Sequence, residues 1–101
     1  MLKIDDKVYL HIKDLETSIN RMGFNIDRLC KIKDISTAKD SNNNEVGIYT
    51  LKCVDSDKEY RVMTNDRMWK MTDANQLIDI IKASVSLDEQ TKEQIIEKIY
   101  E

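Results

Sequence analysis

Apolar residues change their spacing along this chain, and the change falls near Asp73. Before that point they recur mostly at every second residue, whereas beyond it they follow a helical period. One kind of element cannot serve both patterns, because strands alternate faces while helices return to a face every three to four residues. The chain therefore divides into a strand-rich part, residues 1–72, and a helical part, residues 73–101. At 101 residues the two parts form a single domain with one modest core.

The first alternating stretch is "KVYLHIK", with Val8, Leu10 and Ile12 on one face and Lys7, Tyr9, His11 and Lys13 on a wet face. "DLETSINRMG" interrupts the alternation: Leu15, Ile19 and Met22 share a helical face, Asp14 is placed as N-cap and Gly23 as terminator. A further strand is expected at about 29–36, followed by a polar loop or hairpin tip, "TAKDSNNNEVG". The clearest element is a β-hairpin over about 48–63, with Tyr49, Leu51 and Cys53 on one face and "DSDK" as its turn. "RMWKM" forms a short last strand or bend.

From Ala74 onward, Leu77, Ile78, Ile81 and Val85 make one apolar stripe; Thr72 or Asp73 caps it, and Asp73 with Gln76 has capping-box spacing. Ser86 with Glu89 has the same spacing, opening a last helix whose apolar side is Ile95, Ile96, Ile99 and Tyr100. The order is strand, helical loop, three or four strands, then two helices. That is an α+β chain with a four- to five-stranded antiparallel sheet.

Charge narrows the function. The net charge of −3 arises within residues 86–101, and residues 1–85 are neutral. A dedicated duplex-DNA binder would carry a basic surplus. No apolar run approaches the about 20 residues of a membrane span, and no secretory leader follows Met1, so a soluble cytoplasmic protein is expected. Cys30 and Cys53 lack any metal or redox spacing and are expected as reduced core thiols.

The segments "VYLHIKDLE", "YTLKCVDSDKEYRV" and "MWKMTDANQL" together resemble small SH3-like barrels of phage and mobile-element proteins. In these a first strand enters a short helical loop, a hairpin follows, and a Trp-bearing strand leads into a polar turn. The resemblance covers about residues 7–77. The strand near 29–36 departs from it by lacking the glycines that usually bend a small barrel, and residues 86–101 fall outside it. It implies a curled sheet or barrel used for binding peptides, proteins or nucleic acid.

Chemistry is sparse. The sole histidine, His11, is expected on a solvated strand face without a catalytic partner. "DSNNNE" lacks the alternating ligands and central glycine of a calcium loop. No phosphate-binding loop, metal motif or nucleophile–base set is present, so no enzyme activity and no cofactor is expected.

Two features rise above this background. Lys58, Arg61, Arg67 and Lys70 interleave with Tyr60 and Trp69, a pattern suited to single-stranded nucleic acid. The same pattern also suits a core indole ringed by solvated cations. The second feature is the last helix, which either docks on its own sheet or pairs with a copy of itself or a target groove. The partner-binding candidates are therefore Arg61, Arg67, Met68, Lys70, Met71, Ile95, Ile99 and Tyr100. The leading expectation is a non-enzymatic protein-interaction module of a phage or mobile element, with host-defence nuclease inhibition as one version. It would bind a host protein or itself, as a homodimer through the C-terminal helix. The alternative is a single-stranded DNA- or RNA-binding accessory protein using residues 58–70.

Overall fold

The structure is a computed structural model and describes residues 2–101. Five strands form one antiparallel sheet: β1 (Lys7–Ile12), β2 (Leu29–Lys39), β3 (Glu45–Cys53), β4 (Glu59–Met63) and β5 (Trp69–Asp73), in the order β4-β3-β2-β1-β5. Helix α1 (Leu15–Met22) follows β1, while α2 (Ala74–Ala83) and α3 (Glu89–Tyr100) follow β5. The α+β class and the five-stranded antiparallel sheet are as expected. The sheet does not close into a barrel, for β4 and β5 share no ladder.

The helix ends carry the expected chemistry with one exception. Asp14 accepts from the Thr17 N–H at 2.8 Å, and Gly23, at φ +74°, donates its N–H to Ile19. Asp73 accepts from the Gln76 N–H at 3.1 Å. At α3 the cap is Asp88, which accepts from the Thr91 N–H at 2.7 Å, and not Ser86. The Ser86 hydroxyl instead bonds the Ser84 hydroxyl and donates to the side-chain amide oxygen of Asn20.

The connection Thr64–Met68 joins opposite edges of the sheet. Across a flat sheet it would span four inter-strand steps of about 4.8 Å each, and five residues barely reach that far even when extended. This connection is folded: the Asp66 N–H donates to Met63 O, and its carboxylate receives the N–H groups of Met68 and Trp69. The sheet must therefore curl so that its two edges approach.

Curling gives the sheet two cores. On the convex side Tyr9, Leu15, Ile19, Leu29, Leu77, Ile78, Ile81, Ile95 and Ile99 bury the three helices against the sheet. On the concave side Val8, Leu10, Cys30, Ile32, Leu51, Cys53 and Val62 pack together, with Trp69 and Met71 partly buried against them. The expected wet face of β1 is thus covered. Tyr9 is 3% exposed and His11 5%, because α1 with the segment after it, and the helical half of the chain, pack over them.

A second departure is the length of β2 and β3. Their ladder runs on to Lys39↔Glu45, through residues expected as loop. Only Asp40–Asn44 forms the tip, where Asp40 accepts the N–H groups of Asn42 and Asn44, each at 2.9 Å. Lys33 is the extra residue of a bulge between Ile32 and Asp34, which supplies the bend that glycine does not.

Candidate functional site

The approach of the two sheet edges is marked by one side chain. Arg28 lies in a 3-10 turn (Ile26–Arg28) whose N-cap, Asn25, accepts the Asp27 N–H at 3.0 Å. Lys58 anchors that turn by pairing with Asp27 at 3.1 Å. The turn sends the Arg28 guanidinium 5.0 Å from the Tyr60 ring centre on β4 and 4.6 Å from the Trp69 ring centre on β5. The planar cation fills the slot between the aromatic groups of the two edge strands, where no backbone ladder forms. Composition around residues 58–70 draws attention to Tyr60 and Trp69. Arg28, thirty-two residues before Tyr60, carries no local signal beyond its charge.

Around this seam the surface is apolar and cationic. Met22 and Met68 are 62% and 61% exposed, and Met22 shares a surface pocket with Arg28 and Trp69. Arg61, Arg67 and Lys70 are exposed and make no ion pair among the described residues. Arg61 lies opposite Thr50 and Lys70 opposite His11, which puts both on the convex face, on the β4 and β5 edges. Met71, opposite Leu10, is half-buried against the concave core and is less available than Met68. Trp69 sits between the two outcomes considered for it: its indole packs on the concave core, and Arg28 lies over the ring.

The C-terminal candidates separate differently. Ile95 and Ile99 are 6% and 4% exposed within the convex core, so the apolar stripe of α3 is taken up by the chain itself. They offer no apolar surface to a second copy or to a groove. Tyr100, 72% exposed, remains outside.

His11 is not a solvated strand residue. Its Nδ1 lies 3.0 Å from the Lys13 carbonyl, which can only accept, so Nδ1 carries the proton. Nε2 then accepts from the Thr72 hydroxyl at 2.7 Å. Lys13 reaches this position with φ +57°, a left-handed backbone uncommon for a lysine. Burial holds the His11 pKa below the ordinary histidine value, opposed by its carbonyl contacts and Asp14. Both ring nitrogens are engaged, so the ring is a structural strut at the back of a groove of about 830 Å³ bordered by α1, β5 and α2.

The thiols are equally fixed. Cys30 and Cys53 are free and directly opposed across β2 and β3. Burial, with Cys53 beside it, pushes the Cys30 thiol up to about 12, far from a nucleophilic thiolate. Cys30 faces the concave core while His11 faces the helices, so the sheet separates them. Among the described residues no group of three His, Cys, Asp or Glu side chains is arranged to hold a metal ion. Likewise, no helix among them is long and apolar enough to cross a membrane. Comparison with protein-family models, with curated proteins and with solved structures finds no match.

Proposed function

We propose that this chain is a non-enzymatic protein-interaction module, akin to the small SH3-like proteins of phages and mobile elements, and that the seam between β4 and β5 is its contact surface. The observation that carries this reading is the pair of exposed methionines, Met22 and Met68, beside a half-buried Trp69 that Arg28 holds in place. Methionine adapts to irregular partner surfaces, and a pre-positioned indole loses little freedom on binding. Arg61, Arg67 and Lys70 border the patch without carboxylate partners among the described residues, so the complementary surface is a protein presenting acidic groups around an apolar spot. A host-defence nuclease held in an inhibited state is one version of such a partner. His11 and Cys30, the nearest approach to catalytic groups, are both committed to structure, which supports a role without chemistry.

The uncompensated cations also favour a second reading, a single-stranded nucleic-acid accessory protein. Against it stands the slot between Tyr60 and Trp69, which a base would have to enter and which Arg28 occupies. The test compares the wild type with a variant carrying Arg67→Glu and Met68→Asp. The protein reading expects a host protein retained by the wild type and lost by the variant, with melting unchanged and Trp69 fluorescence shifting on binding. Retention by both would remove the seam as the contact surface. Salt-sensitive binding of single-stranded oligonucleotides, lost in Arg61→Glu with Lys70→Glu, would establish the alternative instead.

A further inference from the structure

Three lysines lie side by side on the convex face of the sheet. Lys7 on β1 is directly opposite Lys31 on β2, and Lys31 is directly opposite Lys52 on β3. Like charges directly opposed across a ladder destabilise a sheet. With charged residues at 35% of the chain and acidic ones the more numerous, composition does not force this arrangement. A fourth lysine, Lys98 of α3, joins them around a pocket of about 300 Å³, at the small end of ligand sites.

The local partners do not account for the set. Lys7 donates to the carbonyl oxygens of Ile99 at 2.8 Å and Lys98 at 3.4 Å, and to the Glu101 main-chain oxygen, so it caps α3. Lys98 pairs with Asp55 and Glu101, each at 3.5 Å, and Lys52 pairs at 3.8 Å with Asp57, which is fully exposed. Lys31, at the centre, makes no side-chain hydrogen bond or ion pair among the described residues. Among the described residues Glu101 is the one acidic side chain lining the pocket.

We propose that this pocket is a binding site for a small polyanion bearing phosphate groups, held by Lys31, Lys52 and Lys98 with Lys7 at its edge. A multiply charged anion between opposed ammoniums converts their repulsion into attraction, and the repulsion persists only while the site is empty. The volume suits one or two phosphate groups rather than a strand of nucleic acid. This site is separate from the seam, and its failure would leave the interaction reading untouched.

The probe is inorganic pyrophosphate, added to the full chain and read by thermal melting and by phosphorus NMR, with sodium chloride at equal ionic strength as control. At a concentration a few-fold above its Kd, pyrophosphate is expected to raise the melting temperature by about 5 °C, and to raise it further as the logarithm of its concentration, whereas chloride is not. Lys31→Gln is expected to melt no lower than the wild type when empty, and to lose the pyrophosphate shift. Lys52→Gln is expected to weaken it. Equal shifts from chloride and pyrophosphate, or a full shift retained in Lys31→Gln, would overturn the proposal. A short oligonucleotide without terminal phosphate is the third arm. If it alone stabilises the protein, the lysines serve a nucleic-acid backbone and the small-polyanion site is excluded.

Discussion

His11 shows how far a single side chain can be from its sequence-based expectation. Alternation places it beside Lys7, Tyr9 and Lys13 on a face that looks wet, and nothing local announces the helices that later cover it. Its protonation state has a measurable consequence. In the folded chain burial holds its pKa below the ordinary value. As pH falls through the ordinary histidine value of about 6.5, the unfolded chain binds a proton that the folded chain does not. Stability is therefore complete above that value and declines as pH falls towards the folded pKa. Urea unfolding at pH 7.5 and 5.5 is expected to show this loss, and His11→Gln is expected to flatten it. The carboxylates Asp14, Asp66 and Asp88, whose pKa values lie below the ordinary carboxylate range because backbone N–H groups bind them, titrate at lower pH. An equal slope in the variant would assign the effect elsewhere. Trp69 was more legible, since a short core needs its largest side chain, yet its partner Arg28 lies forty-one residues away and only the folded sheet brings the two together.

At the scale of elements, the two periods and the capping residues locate most of the structure. β1, the hairpin β3–β4, α2 and α3 fall close to where alternation, turn chemistry and stripe spacing put them, except that α2 ends at Ala83 and Val85, expected on its stripe, lies beyond it and is 96% exposed. The strand ends beyond Ser36 and before Ile48 did not, because Ala38 and the buried Val46 are the only apolar side chains in that part of the ladder, too few to show a period. The link between Lys7 and the end of α3 is likewise invisible in sequence, spanning more than ninety positions. Two effects compete at this lysine. Its ammonium stabilises the carbonyls at the helix C-terminus, where hydrogen bonds from a charged donor contribute about 1.5–3 kcal/mol. Its repulsion from Lys31 offsets about 0.2–1 kcal/mol of that. Lys7→Met, which keeps the stem, is expected to lose about 1 kcal/mol in chemical unfolding, and hydrogen exchange should rise in the last turn of α3. A variant as stable as the wild type would mean that repulsion outweighs the cap.

For the molecule as a whole, the curl of the sheet sets which residues meet, and the sequence carries it only indirectly. A five-residue link between opposite edges, folded on Asp66, is compatible with five strands only when the edges approach. The result is a concave core closed by side chains and a convex core closed by helices. α3 belongs to the second. Ile95 and Ile99 bury their side chains against Tyr9 and the α2 stripe, with Leu87 and Ile96 partly covered beside them. At about 1.5–3 kcal/mol for each fully buried isoleucine, these residues supply an amount comparable with the lower end of the 5–15 kcal/mol that holds a small domain together. Removal of residues 86–101 also exposes Leu77, Ile78 and Ile81 and frees Lys7 to repel Lys31 without its helix. The truncated chain is expected to retain far-UV helix and strand signal but to lose a cooperative melt, to bind ANS and to self-associate through the uncovered stripe. Ile99→Ala in the full chain should move the same way by about 3 kcal/mol, while Tyr100→Ala, whose ring is exposed, should stay within about 0.5 kcal/mol. A truncated protein that remains monomeric and melts like the full chain would show that the sheet, α1 and α2 fold alone, and that docking of the α3 stripe contributes little to the stability of the fold.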